Sequence, residues 1–146
     1  MTTPGARVLE GGCHCGAIRV EWTTTHPPES LEVRACGCTF CRSHGARAAS
    51  DPGGHVRFVV REPGTLSRYR FATRSADFLV CARCGVFLGA VLAHEGRTVA
   101  TVNVNALADR DAFPRDARAV DYGDESREAR VARRLARWTP AEIVAG

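Results

Sequence analysis

The sequence predicts a mainly β fold with one C-terminal α-helix, on three observations. Several segments of the 146-residue chain alternate apolar and polar residues, as half-buried strands do. A helical repeat of apolar residues occurs near the carboxyl end, at about residues 125–138. All seven cysteines fall into three short clusters, which would join strands that are distant in sequence. Together these features predict a β sheet that thiol chemistry holds together.

Length and composition favour a single soluble domain over residues 1–146, with the helix at about 125–138. The chain is 45% apolar and 25% charged, and it has no apolar run long enough to span a membrane. Residues 1–10 are expected to form a polar lead-in. They lack the apolar region of a secretory signal, so the expected compartment is the cytoplasm.

In the first half of the chain, strands are predicted where β-forming residues alternate in polarity. Cys13 and Cys15 precede the first of these strands, and residues two apart in an extended segment share a face, so both thiols can point the same way. The proline-rich segment at 26–30 and the loop at 51–54 separate the strands. The predicted strands are residues 16–23, 31–35 and 55–61.

In the second half, two strands flank Cys81 and Cys84, and the alternation is cleanest at residues 98–107. Residues 108–124 are rich in Asp, Pro and Arg and are expected to form a surface connection. In the helix that follows, Val131, Leu135 and Trp138 form an apolar stripe, Pro140 ends the helix, and its arginines are expected to face solvent. The predicted strands are residues 68–72, 78–80, 86–92 and 98–107.

The thiol clusters indicate bound metal. Seven cysteines cannot all pair as disulfides within the chain. Zinc takes four protein ligands at structural sites and three at catalytic sites, so the seven divide into four and three. Two pairs far apart in sequence suit a structural site, and a compact triplet suits a second zinc with one free position. The structural set is Cys13, Cys15, Cys81 and Cys84, and the triplet is Cys36, Cys38 and Cys41.

The second site has more than one possible completion. His14, His44 or His94 could supply a fourth ligand and make that zinc structural too. The chain would then be a non-enzymatic zinc-binding β module for a protein or nucleic-acid partner. A third hypothesis is a thiol redox or metal-buffering role for the triplet.

The net charge gives little support to a nucleic-acid partner. The formal charge is +4, with arginine as the only cationic residue type. Seven thiolates on two zinc ions would lower it to about +1, because metal ligands are deprotonated. An electrostatic nucleic-acid binder is therefore not expected.

Three motifs resemble one known family. They are Gly11-Gly12-Cys13-His14-Cys15-Gly16, then Cys36-Gly37-Cys38-Thr39-Phe40-Cys41 with Gly45-Ala46, and Phe78-Leu79-Val80-Cys81-Ala82-Arg83-Cys84-Gly85. The later segment Val102-Asn103-Val104-Asn105-Ala106-Leu107 is also similar to the family's strand. The order is similar to that of the glutathione-dependent formaldehyde-activating (GFA) enzyme and centromere-protein-V-like family, over about residues 8–110.

The resemblance implies a zinc-stapled antiparallel β-sheet fold of the GFA type. It places structural zinc on Cys13, Cys15, Cys81 and Cys84, and catalytic zinc on Cys36, Cys38 and Cys41. The implied activity is that of a carbon–sulfur lyase that forms S-(hydroxymethyl)glutathione from glutathione and formaldehyde. We expect a small thiol such as glutathione to take the open zinc position. Three further residues are candidates: His44 as a proton shuttle, and Arg42 and Arg47 as binding residues for its carboxylates.

Overall fold

The computed structural model describes residues 5–146. Its two α-helices are α1 (Thr39–His44) and α2 (Arg127–Arg137). Short 3-10 helices lie at Pro28–Ser30, Val104–Ala106 and Arg110–Ala112. The strands are β1 (Arg7–Gly12), β2 (Ile18–Thr24), β3 (Arg34–Cys36), β4 (Ala48–Ala49), β5 (His55–Val60), β6 (Leu66–Tyr69), β7 (Asp77–Cys81), β8 (Phe87–His94), β9 (Arg97–Asn103), β10 (Arg118–Val120) and β11 (Thr139–Ala145).

The strands form a branched and mostly antiparallel sheet, with the order β1-β2-β5-β11-β9-β4-β3-β10. A second path runs from β9 through β8 and β7 to β6. Parallel pairing occurs between β11 and β5 and between β10 and β3. The predicted mainly β fold with a C-terminal helix is confirmed.

The main core lies where β2 and β5 face β8 and β9. Along β2 the side chains of Ile18, Val20 and Trp22 are fully buried, in the alternating pattern that the sequence shows. Phe58 of β5 and Val102 of β9 belong to the same cluster. Burial of each large apolar side chain contributes about 1.5–3 kcal/mol, so this cluster provides a rigid support for the sites at its edge.

A second apolar cluster attaches α2 to the sheet. Trp138 packs with Leu92 and Val99, and Val131 and Leu135 lie against them, as the predicted stripe requires. The expectation that the helix arginines face solvent is wrong for two of them. The side chains of Arg130 and Arg134 are buried on the inner side of α2.

Four strands lie where none was predicted: the short β4 and β10, and the longer β1 and β11. Residues 1–10 were expected to be a lead-in, but β1 begins at Arg7, and Leu9 is buried against the core. The first four residues of that expectation lie outside the described part of the chain. At the other end, Pro140 follows α2 as expected but belongs to β11, where it pairs with Val99 of β9.

The remaining differences are in boundaries and short elements. The predicted strand at 98–107 ends at Asn103, whose side chain accepts a hydrogen bond from the Asn105 N–H and starts a 3-10 turn. The predicted strand at 31–35 is β3, which begins at Arg34. That at 68–72 is β6, which ends at Tyr69. The connection at 108–124 contains β10, and α1 was not predicted. None of the helices described here is both long enough and apolar enough to cross a membrane.

Candidate metal centres

Four cysteines, two from the turn between β1 and β2 and two from the end of β7 and the turn after it, meet at one site. The Cys13 and Cys15 sulfurs are 3.7 Å apart, and the Cys15 and Cys81 sulfurs are also 3.7 Å apart. The Cys84 sulfur lies within 4.8 Å of all three. A zinc ion with four thiolates at about 2.3 Å needs sulfur–sulfur distances of about 3.8 Å. The four thiols therefore fit a closed tetrahedral zinc site.

Backbone N–H groups point at these sulfurs. Ile18 N–H donates to Cys13 Sγ at 3.3 Å, and Cys84 N–H donates to Cys81 Sγ at 3.4 Å. The turn after β7 closes with Gly85 N–H on the Cys81 carbonyl at 2.8 Å, and Gly85 has a φ of 82°, which favours glycine. These donors stabilise thiolate charge, as the surroundings of a metal site do.

At this site the pKa values of Cys13 and Cys84 are shifted in opposite directions. Burial raises the pKa of the Cys13 thiol to about 11. Burial also acts to raise the pKa of Cys84, but backbone N–H groups of Cys15 and Val86 outweigh it and lower that pKa to about 6. A metal ion must therefore displace a proton from Cys13, so binding at this site releases protons.

The triplet Cys36, Cys38 and Cys41 forms the second site. Its three sulfurs lie within 4.8 Å of one another at the end of β3 and the start of α1. Cys38 caps α1, because its sulfur accepts the Cys41 N–H at 3.3 Å. Within residues 5–146, no histidine or carboxylate joins the three sulfurs at that spacing. Three close thiols with no fourth protein ligand match the ligand set of an open site.

At the second site the pKa values of Cys36 and Cys41 are shifted in opposite directions. A hydrogen bond from the Cys41 thiol lowers the pKa of Cys36 to about 5, although burial opposes this. The same hydrogen bond raises the pKa of Cys41. One thiolate is thus present near neutral pH even without metal, and thiolate is the form that binds metal.

The three candidate histidines are all exposed. His44 is the exposed last residue of α1, and its ring packs on Phe40 and Phe87 with centroid distances of 4.6 and 5.4 Å. His14 lies in the turn between two zinc-site cysteines. His94 ends β8, where its Nε2 is 3.7 Å from a Glu95 oxygen. None of them belongs to the two thiol groups.

The two candidate arginines differ in their surroundings. Arg42 is exposed on α1. Arg47 donates to the carbonyl oxygen of Pro114 at 2.8 Å and to Asn105 Oδ1 at 3.2 Å, so its guanidinium holds the segments after β9 in place. Neither side chain lines the cavity beside the triplet.

That cavity has a volume of about 220 Å³ and lies between the triplet and α2. Phe71, Phe78 and Tyr122 form part of its wall, and Arg130 and Arg134 enter it from α2. Sequence reasoning did not identify any of the five as site residues. A signal was present for the arginines, because they share a helical face with Trp138 at spacings of four residues.

A mainly β sheet that gathers four thiols at one site and three at another defines a class of cysteine-rich proteins with two candidate metal centres. A family model described as "Glutathione-dependent formaldehyde-activating enzyme" matches residues 8–120. The chain belongs to this family, as its three motifs predict.

One solved structure is similar to the chain over most of its length. It is a crystal structure of a Rhodobacter sphaeroides protein that is 30% identical, with a TM-score of 0.57. The match covers 76% of this chain and 99% of the other. It supports the fold.

Proposed function

We propose that the protein is a zinc-dependent carbon–sulfur lyase of the GFA type, with two zinc ions per chain, that acts in the cytoplasm. The reaction joins glutathione and formaldehyde into S-(hydroxymethyl)glutathione at the triplet Cys36, Cys38 and Cys41. One observation carries the proposal: three close thiols, which no fourth ligand from residues 5–146 joins, lie on the wall of a cavity. An open three-ligand site is the arrangement that catalytic zinc uses.

When bound there, zinc would supply a fourth coordination position that favours the thiolate form of an incoming thiol. The carbon–sulfur bond forms as the thiol sulfur attacks the aldehyde carbon, and the carbonyl oxygen gains a proton. The thiol loses one proton, so the overall step is balanced without a redox partner. Formaldehyde is reactive, and the task of the site is to hold the thiol in position.

The protein groups around the triplet have separate roles in this proposal. The rings of Phe71 and Phe78 are 4.6 Å apart and cover one side of the cavity, where they limit the access of water. His44 remains the predicted proton carrier, and its ring packs on Phe40, which in turn packs on Phe71. Arg42 on α1 and Arg47 after it are the carboxylate contacts that the sequence predicts, and both lie outside the lining of the cavity.

The alternative, a binding module with two structural metals, requires a fourth protein ligand at the second site. The nearest histidines do not meet that requirement in the described chain. The geometry therefore supports the enzyme better than the module.

The experiment is exchange spectroscopy by NMR with isotopically labelled formaldehyde and glutathione, because the uncatalysed reaction is itself fast. We expect the protein to accelerate exchange between free and glutathione-bound formaldehyde. A variant with Cys36→Ser and Cys41→Ser should lose the acceleration and keep about one zinc per chain, at the four-cysteine site. Equal acceleration by this variant would show that the triplet is not the reaction site.

A further inference from the structure

Two buried arginines on α2 face the three-thiol site. The side chains of Arg130 and Arg134 belong to residues that are only 9% and 8% exposed. They are four residues apart and lie on one face of the helix. Both line the cavity that also exposes Cys36, Cys38 and Cys41. The cavity thus places buried positive charge beside the thiols.

The protein uses only some of the hydrogen-bond donors of Arg130 and Arg134. Arg130 Nη2 donates to the Tyr122 carbonyl oxygen at 2.6 Å, and Arg134 Nη1 donates to Ser75 Oγ at 2.9 Å. The Nε atoms of both arginines are buried and have no hydrogen-bond partner within residues 5–146. Those two Nε atoms are enclosed by protein, but the terminal nitrogens Arg130 Nη1 and Arg134 Nη2 are not fully enclosed and make no hydrogen bond to residues 5–146. A partner that enters the cavity can therefore accept hydrogen bonds from them.

The carboxylates near the cavity do not neutralise all of the arginines on α2. Glu125 accepts hydrogen bonds from Arg133 at 3.0 Å and also lies 3.8 Å from Arg130 Nε. Arg134 has no carboxylate at ion-pair distance in the described chain, and its guanidinium instead stacks 4.9 Å from the Trp138 ring. Asp121 lies at the cavity rim, where its Oδ1 accepts the Gly123 N–H at 2.9 Å.

Arg134 nevertheless stays charged. Burial, together with the nearby positive charges of Arg133 and Arg130, lowers its pKa to about 10, which is still far above neutral. A guanidinium has a fixed fork of donors that matches a carboxylate. The cavity therefore offers a positive and partly unsatisfied binding group next to the thiols.

We infer that Arg134, with Arg130 beside it, binds a carboxylate of the substrate thiol, so that the site prefers mercapto acids to neutral thiols. This inference rests on the proposed function, because it takes the triplet as the position of the substrate sulfur. It assigns specificity to α2, in place of the Arg42 and Arg47 contacts predicted from sequence. The cavity is large enough for a short mercapto acid or for one end of a larger thiol.

The test uses two thiols of similar size on the cobalt(II)-substituted protein. 3-Mercaptopropionate carries a carboxylate and 2-mercaptoethanol does not, and sulfur binding to cobalt is followed by its absorption. We expect the wild-type protein to bind the acid at least about tenfold more tightly, since a hydrogen-bonded charge contributes about that factor. Arg134→Gln should remove most of the preference, Arg134→Lys should keep part of it, and the exposed Arg137→Gln should leave it unchanged.

A second readout is independent of the metal. Propionate bound at Arg134 should change the fluorescence of the stacked Trp138, and Arg134→Gln should abolish that change. Equal binding of the two thiols by the wild type, or a preference that Arg134→Gln and Arg134→Lys both retain, would overturn the inference. A propionate response without any thiol absorption band would leave the anion site in place, overturning the proposed function and with it the thiol assignment.

Discussion

The four-cysteine site should contribute more to stability than the three-thiol site, because it closes a much longer loop. Cys15 and Cys81 are 66 residues apart. By lowering the entropy of the unfolded chain, a cross-link of that span destabilises the unfolded state by about 4 kcal/mol at 25 °C. The triplet closes a loop of only a few residues, and the same effect there is about 2 kcal/mol. For a chain of this size, 1 kcal/mol shifts Tm by about 2–4 °C.

Two double variants test this difference. Cys81→Ser with Cys84→Ser removes half of the closed site, and Cys36→Ser with Cys41→Ser removes two ligands of the open site. We expect the first to lower Tm by about 10 °C or more and the second by about half as much. Thermal unfolding by circular dichroism gives Tm, and elemental analysis should find about one zinc in each variant. Equal losses of Tm, or a loss within about 2 °C for the first variant, would refute the loop-closure argument.

Two further predictions concern the fold around the sites. Gly54→Ala should lower Tm by several degrees, because its Cβ would lie 2.5 Å from the Thr23 carbonyl oxygen; Gly53→Ala, whose nearest contact is 3.6 Å away, is the matched control. Glu125→Gln should reduce Tm at neutral pH, and this reduction should shrink as pH falls below 4.5, since the hydrogen bond from Arg133 lowers the pKa of Glu125 below its ordinary 4.5. The stabilisation by Glu125 is then present above pH 4.5 and is lost as pH falls through its lowered pKa. A Tm difference that does not shrink in acid would contradict this prediction.

The two thiol groups could be predicted from sequence because their cysteines lie in short local motifs. A pair such as Cys81 and Cys84 sets its own geometry through one turn, with backbone N–H groups that point at sulfur. The same is true of the triplet, where Cys38 both caps α1 and contributes a thiol. In each case the neighbouring residues determine the spacing of the thiols, so no knowledge of distant contacts was needed.

The missed strands depend on contacts between distant parts of the chain. Gly11 and Gly12 end β1 and allow close backbone approach: a Cβ on Gly11 would lie 2.1 Å from the Ala106 carbonyl oxygen. β11 pairs in parallel with β5, far from it in sequence, and begins with a proline-containing pair on β9. Local propensity gives little signal for either strand, because tertiary pairing decides both.

The cavity residues Arg130 and Arg134 were missed for the same reason as these strands: their position depends on contacts between distant parts of the chain. The family model ends at residue 120, and α2, which carries Arg130 and Arg134, comes after it. The triplet lies near the start of the chain, so only the folded sheet brings the helix over the thiols. If the proposals hold, the metal ligands and the residues that select the substrate lie in different parts of this sequence. Relatives that share the cysteines but differ in the segment after residue 120 should share the zinc sites and differ in the thiols that they prefer.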